Sequence, residues 1–179
     1  MGAVVDSINK IQETNEVNNA ITGNLIKVLH PRNGGFGTGK YYWKFPSNGS
    51  IDQTVSHSGG KSAKIVGVGK IATDAAWPID VTAGKSYKIS GWIKMDAISH
   101  SSLTSYGAGM RITWYSATRA SISFSNIIGN LKGTRDWTSY EKTVTAPAGA
   151  VTARLEIGIA PAGSGTTGTA WFDDIVIEG

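Results

Sequence analysis

The spacing of apolar and polar positions changes once along the chain. From residue 3 to residue 20 there is no glycine or proline, and Val4, Ile8 and Ile11 recur at spacings of four and three. The same register runs on through Asn15, Asn18 and Thr22. This is the a and d spacing of a heptad, so residues 1–22 read as a short N-terminal α-helix with coiled-coil character. A lone helix of this length with a half-polar seam is marginal in water. The reading therefore expects it to self-associate. Paired asparagine amides fix register and oligomer state, and a homotrimer is expected ahead of a dimer.

Beyond residue 22 the period shortens to two, and turn residues break the chain into short runs. Candidate strands fall at 24–29, 41–45, 50–56, 62–68, 71–79, 86–95, 109–115, 121–127, 138–145, 152–160 and 170–178. Turn chemistry separates them, as in His57-Ser58-Gly59-Gly60 and Pro147-Ala148-Gly149. Many short strands without intervening helices predict an all-β, antiparallel β-sandwich over residues 23–179. Alternation also assigns faces. Tyr87, Ile89, Gly91 and Ile93 share one side of their strand, and Lys88, Ser90, Trp92 and Lys94 the other. Likewise Met110, Ile112 and Trp114 oppose Arg111, Thr113 and Tyr115. With the apolar sets in the core, Trp92, Arg111 and Tyr115 face outward as a candidate binding surface.

Composition narrows the chemistry. The 179 residues include no cysteine, which excludes disulfides, thiolate zinc sites and cysteine catalysis. No apolar run is long enough for a membrane-spanning helix, so membrane insertion is not expected. Residues Met1–Val5 lack the basic and apolar regions of a signal peptide. The net charge of +4 is spread thinly, without the dense basic stripe of a nucleic-acid footprint. Gly34–Lys40 approaches the phosphate-cradling pattern, but Tyr41 stands where its serine or threonine belongs, and a flexible glycine loop is the better reading. There is no nucleophile elbow, and the acids do not assemble into a pair. No enzyme is expected. Six tryptophans and six tyrosines are what the chain offers instead, since aromatic rings stack on the apolar faces of sugars. Among them Trp43 and Trp77 flank loops.

Several phrases, in order, carry a resemblance. They are Asn24-Leu25-Ile26, Tyr42-Trp43-Lys44-Phe45, His57-Ser58-Gly59-Gly60-Lys61-Ser62, Val81-Thr82-Ala83-Gly84-Lys85-Ser86-Tyr87, Arg111-Ile112-Thr113-Trp114-Tyr115 and Ala170-Trp171-Phe172-Asp173-Asp174-Ile175. From about residue 24 to residue 178 the chain resembles carbohydrate-binding modules of the family 4/9/16/22 group, which are galactose-binding-like jelly rolls. The resemblance implies a sugar platform of Trp92, Arg111 and Tyr115 on the sheet, with Trp43 and Trp77 at its edge. It also implies a structural calcium ion, with Asp173 as ligand beside the carbonyls of the Gly60/Lys61 turn. The chain departs from the family pattern at Phe36-Gly37, where Phe-Glu is usual. A short coiled coil feeding such a sandwich looks like a phage or prophage tail fibre. The expected function is thus a non-catalytic carbohydrate-binding head on an extracellular or virion surface. The alternatives are the binding module of a polysaccharide-degrading enzyme and a purely structural assembly domain.

Overall fold

The computed structural model describes residues 31–76, 78–100, 107–160 and 165–179, with two short strands, β1 (Ala3–Val4) and β2 (Ala20–Ile21), ahead of them. β1 and β2 pair antiparallel, Ala3 opposite Ile21. The rest of the expected N-terminal helix, its trimeric seam, the expected first strand at 24–29 and Trp77 all lie outside the described residues.

Eleven further strands follow: β3 (Trp43–Lys44), β4 (Gly49–Asp52), β5 (Ser62–Val66), β6 (Gly69–Thr73), β7 (Ile79–Asp80), β8 (Ser86–His100), β9 (Gly107–Tyr115), β10 (Ser121–Leu131), β11 (Gly133–Thr145), β12 (Thr152–Ala160) and β13 (Thr166–Glu178). They form two antiparallel sheets. One runs β10-β9-β12-β6-β3, with β7 also on β12; the other runs β11-β8-β13-β5-β4. Neighbours in sequence cross between the sheets, as β8 and β9 do, so the chain closes a two-layer sandwich.

The assigned faces hold. Tyr87, Ile89 and Ile93 of β8 and Met110, Ile112 and Trp114 of β9 are buried. Tyr87 and Trp114 meet across the layers with ring centroids 6.2 Å apart. Gly91 lets the sheets approach closely, because a Cβ there would lie 3.0 Å from Met110 Sδ of the facing sheet. The expected strand at 71–79 is instead two, β6 and β7.

The glycine loop is not loose. Phe36 is fully buried, in ring contact with Trp43 at 5.2 Å. Ile175 N–H donates to Gly34 O at 3.1 Å, and the Asn33 side chain donates to Gly39 O and Tyr41 O. A loop this rich in glycine packs because Phe36 anchors it to the core.

Candidate functional site

Alternation assigned faces strand by strand, but the topology decides which faces join. β8 and β9 belong to different sheets. Trp92 therefore points out on one side of the sandwich, and Arg111 and Tyr115 on the other. The structure does not bring these three side chains into one platform. Trp43 is also not at an edge: it is 4 % exposed, and its Nε1–H donates to Arg32 O and Asn33 O.

The outer face of the β10-β9-β12-β6-β3 sheet holds a cleft of about 570 Å³, within the usual range of small-ligand sites. Its centre is one row of side chains running across the strands. In register the row reads Lys44, Ala72, Glu156, Arg111 and Asn126. Glu156 is 6 % exposed yet charged. Such burial is tolerated only when the carboxylate is paired. Lys70 Nζ donates to its Oε1 at 2.9 Å, and Arg111 Nε to its Oε2. The Arg111 guanidinium lies 5.1 Å from the ring centre of Phe124, which projects from edge strand β10 and is 56 % exposed.

Beside that row the floor is bare backbone. Gly109 and Gly158 lie directly opposite each other. A Cβ on Gly109 would meet Ile128 O at 2.5 Å, and one on Gly158 would meet Gly69 O at 2.2 Å. Glycine is thus required by close approach, and its consequence is an open trough next to the charged row. Tyr115 shares this face four residues further along β9, roughly 13 Å away. There Arg154 covers its ring at 4.9 Å.

On the opposite sheet, Asp173 and Asp174 form a latch that holds the 53–61 loop. The fully buried Asp173 Oδ2 accepts from the backbone N–H groups of His57 (2.9 Å) and Ser58 (3.1 Å), and its Oδ1 accepts from Asp174 N–H. Burial pushes the Asp173 carboxyl up from its ordinary range, against the pull of these three N–H donors. Asp174 sits at φ +48° in a bulge of β13, which turns its side chain to meet His57 Nδ1 and Ser58 Oγ, both at 2.7 Å. All four carboxylate oxygens are then engaged by hydrogen-bond donors. Calcium takes six to eight oxygens. Among the described residues no group of three or more acidic or histidine side chains is placed to hold a metal. The side chains described here form a hydrogen-bonded latch, and any calcium ion beside Asp173 would have to draw most of its oxygens from backbone carbonyls and water.

The sequence reading passed over Glu156, Lys70, Phe124 and Asn126. Glu156 carried no signal of its own, since it sits with Arg154 in the outward set of β12, between the inward apolar positions Ala153, Leu155, Ile157 and Ile159.

Comparison with known proteins accounts for this architecture. Solved structures with the same fold include the CBM22-1 xylan-binding domain from Paenibacillus barcinonensis Xyn10C, with a TM-score of 0.60, 11 % identity, and coverage of 88 % of this chain and 97 % of that one. Another is the carbohydrate-binding and catalytic modules of a Clostridium thermocellum endo-1,4-β-xylanase complexed with xylohexaose, at TM-score 0.57 and 17 % identity. That alignment covers 80 % of this chain but only 27 % of the xylanase. A third is the enzymatically active domain of a bacteriophage CBA120 tailspike, at TM-score 0.55 and 13 % identity, covering 81 % of this chain and 20 % of that one. No curated protein matches the sequence. The family model described as carbohydrate binding domain matches residues 30–164, a span that takes in the cleft and most of both sheets, and the chain belongs to that family.

Proposed function

We propose that this domain is a non-catalytic module that binds a polysaccharide chain in the cleft on the outer face of the β10-β9-β12-β6-β3 sheet. The observation that carries this reading is the pairing of an exposed ring, Phe124, with the Arg111–Glu156–Lys70 cluster beside the glycine floor. An aromatic ring stacks on a sugar's apolar face, and charged and amide groups bond its hydroxyls. The bare floor admits the thickness of a chain. Xylan is the first polysaccharide to try, because structures of the same fold are described as xylan-binding domains. Isothermal titration with xylan tests the reading. Phe124→Ala should weaken binding about tenfold, the loss of roughly 1.4 kcal/mol of stacking, and leave the fold intact.

For the parent setting we favour a module attached to a polysaccharide-degrading enzyme. The xylanase neighbour supports it, since this chain's counterpart there is a minor share of a longer protein. A tail-fibre head, the setting expected from the N-terminal spacing, has a likeness of fold to one tailspike as its support. Either setting puts the glycan outside the cell.

A further inference from the structure

We infer that the cleft is built for a polysaccharide carrying carboxylate groups, a uronic-acid-bearing chain in preference to a neutral one. This inference rests on the cleft being the glycan site proposed above. Three observations carry it.

The first is the charge balance inside the cleft. Glu156 is the acid of the central row, and each of its oxygens is already taken, one by Lys70 and one by Arg111. Two cations around one buried carboxylate leave an excess positive charge. That excess faces solvent: the Lys70 side chain is 50 % exposed and the Arg111 side chain 40 %, against 7 % for Glu156. Further along the same face, Arg154 of β12 and Lys44 of β3 add two cations. Besides Glu156, two acids lie along this sheet away from the cleft: Asp80, opposite Thr152 at the far end of β12, and Asp74, which directly follows β6 and donates its N–H to Tyr42 O.

The second is that this excess belongs to one side of the sandwich. On the other sheet's outer face, lysines are matched by carboxylates: Lys64 with Asp52 at 3.2 Å, Lys88 with Glu141 at 2.8 Å and Lys94 with Asp136 at 2.6 Å. A merely solvated basic protein would not need to keep its surplus beside the cleft.

The third is hydrogen-bond direction. Ammonium and guanidinium groups only donate. The acid of the cleft is buried with a cation on each oxygen, which leaves the carboxamide oxygens of Asn126 and Asn130 as the side-chain acceptors among the lining residues. A neutral sugar presents hydroxyls that donate as well as accept, whereas a carboxylate only accepts. Lys70 and Arg111, the exposed donors flanking Glu156, therefore match an acceptor-only group, and a guanidinium edge suits a planar carboxylate.

The test is titration of the whole chain with glucuronoxylan and with the same polymer after reduction of its carboxyl groups, in low salt. The acidic polymer should bind at least about fivefold more tightly, the scale of one partly exposed ion pair. The gap should close as sodium chloride is added, because exposed charges are screened. Lys70→Met should narrow the gap and Lys70→Arg preserve it. Equal binding of the two polymers overturns the inference and leaves the cleft as a glycan site. Binding of neither overturns both.

Discussion

His57 lies flat on Trp92, with ring centroids 3.8 Å apart and planes 15° from parallel. The stack is held from behind by the 2.7 Å contact between His57 Nδ1 and Asp174 Oδ2. Trp137 adds an edge contact to the same histidine at 5.8 Å. A face of Trp92 is thus filled by the chain's own 53–61 loop, on the sheet opposite the cleft. This gives Trp92 a structural part, closing the loop onto β8.

Trp92→Ala should therefore act on stability before binding. Losing the stack should cost about 1 kcal/mol beyond the area exposed, read as a lower melting temperature. Affinity for a glycan in the cleft should stay within about twofold, since the two sheets present opposite faces. A variant that melts like the wild type but no longer binds would put the sugar on the β8 side.

Removing the latch should also cost stability. Asp173→Ala removes the buried acceptor of the part-buried backbone N–H groups of His57 and Ser58, a loss of about 1 kcal/mol. Hydrogen exchange at those two amides should rise more than at the core strands. If hydrogen-bond donors alone satisfy the carboxylates, a chelator should leave the wild-type melting temperature unchanged. A drop on chelation in metal-loaded protein would contradict the latch as described.

Acid should weaken the β4–β5 edge through Asp52. Burial alone would push the Asp52 carboxyl up, but donors from Trp171 Nε1 and from Thr54 and Val55 outweigh it and hold it well below the usual carboxylate range. A depressed folded-state value means stability that is fully present above about pH 4 and is lost as pH falls below that. Asp52→Asn should flatten the acid limb of a stability–pH curve measured by urea melts. An unchanged slope would show that the carboxylate is not held low.

The bare floor of the cleft should tolerate nothing larger than glycine. Gly158→Ala places a methyl 2.2 Å from Gly69 O, a backbone atom that cannot swing aside, and should destabilise by about 1–3 kcal/mol. A neutral effect on urea melts would mean β6 and β12 can separate at that point.

Much of the fold was legible because a period of two needs no tertiary knowledge. The strand at 152–160 matches β12 to the residue, and the inward sets of β8 and β9 are buried as read. What alternation does not encode is strand order. Trp92 and Arg111 were both read correctly as outward-facing, yet outward on β8 and outward on β9 are opposite sides of the sandwich. Trp43 misled for a related reason: two backbone carbonyls 10 and 11 residues earlier in the chain receive its indole N–H, which allows a loop-flanking tryptophan to sit in the core. Glu156 was hidden by its own surroundings. A charged residue inside an apolar strand signals a site only once Lys70 and Arg111 are seen to reach it from neighbouring strands.

The central claim, a glycan held on the outer face of the β10-β9-β12-β6-β3 sheet, is tested most directly by amide and indole chemical shifts during titration with a xylan oligosaccharide. The backbone amides of Arg111, Asn126 and Gly158 should move in proportion to occupancy, with the indole Nε1–H signals of Trp92 and Trp137 fixed. Movement of those two indoles, with Arg111 and Gly158 unchanged, would contradict the account and transfer the binding face to the other sheet.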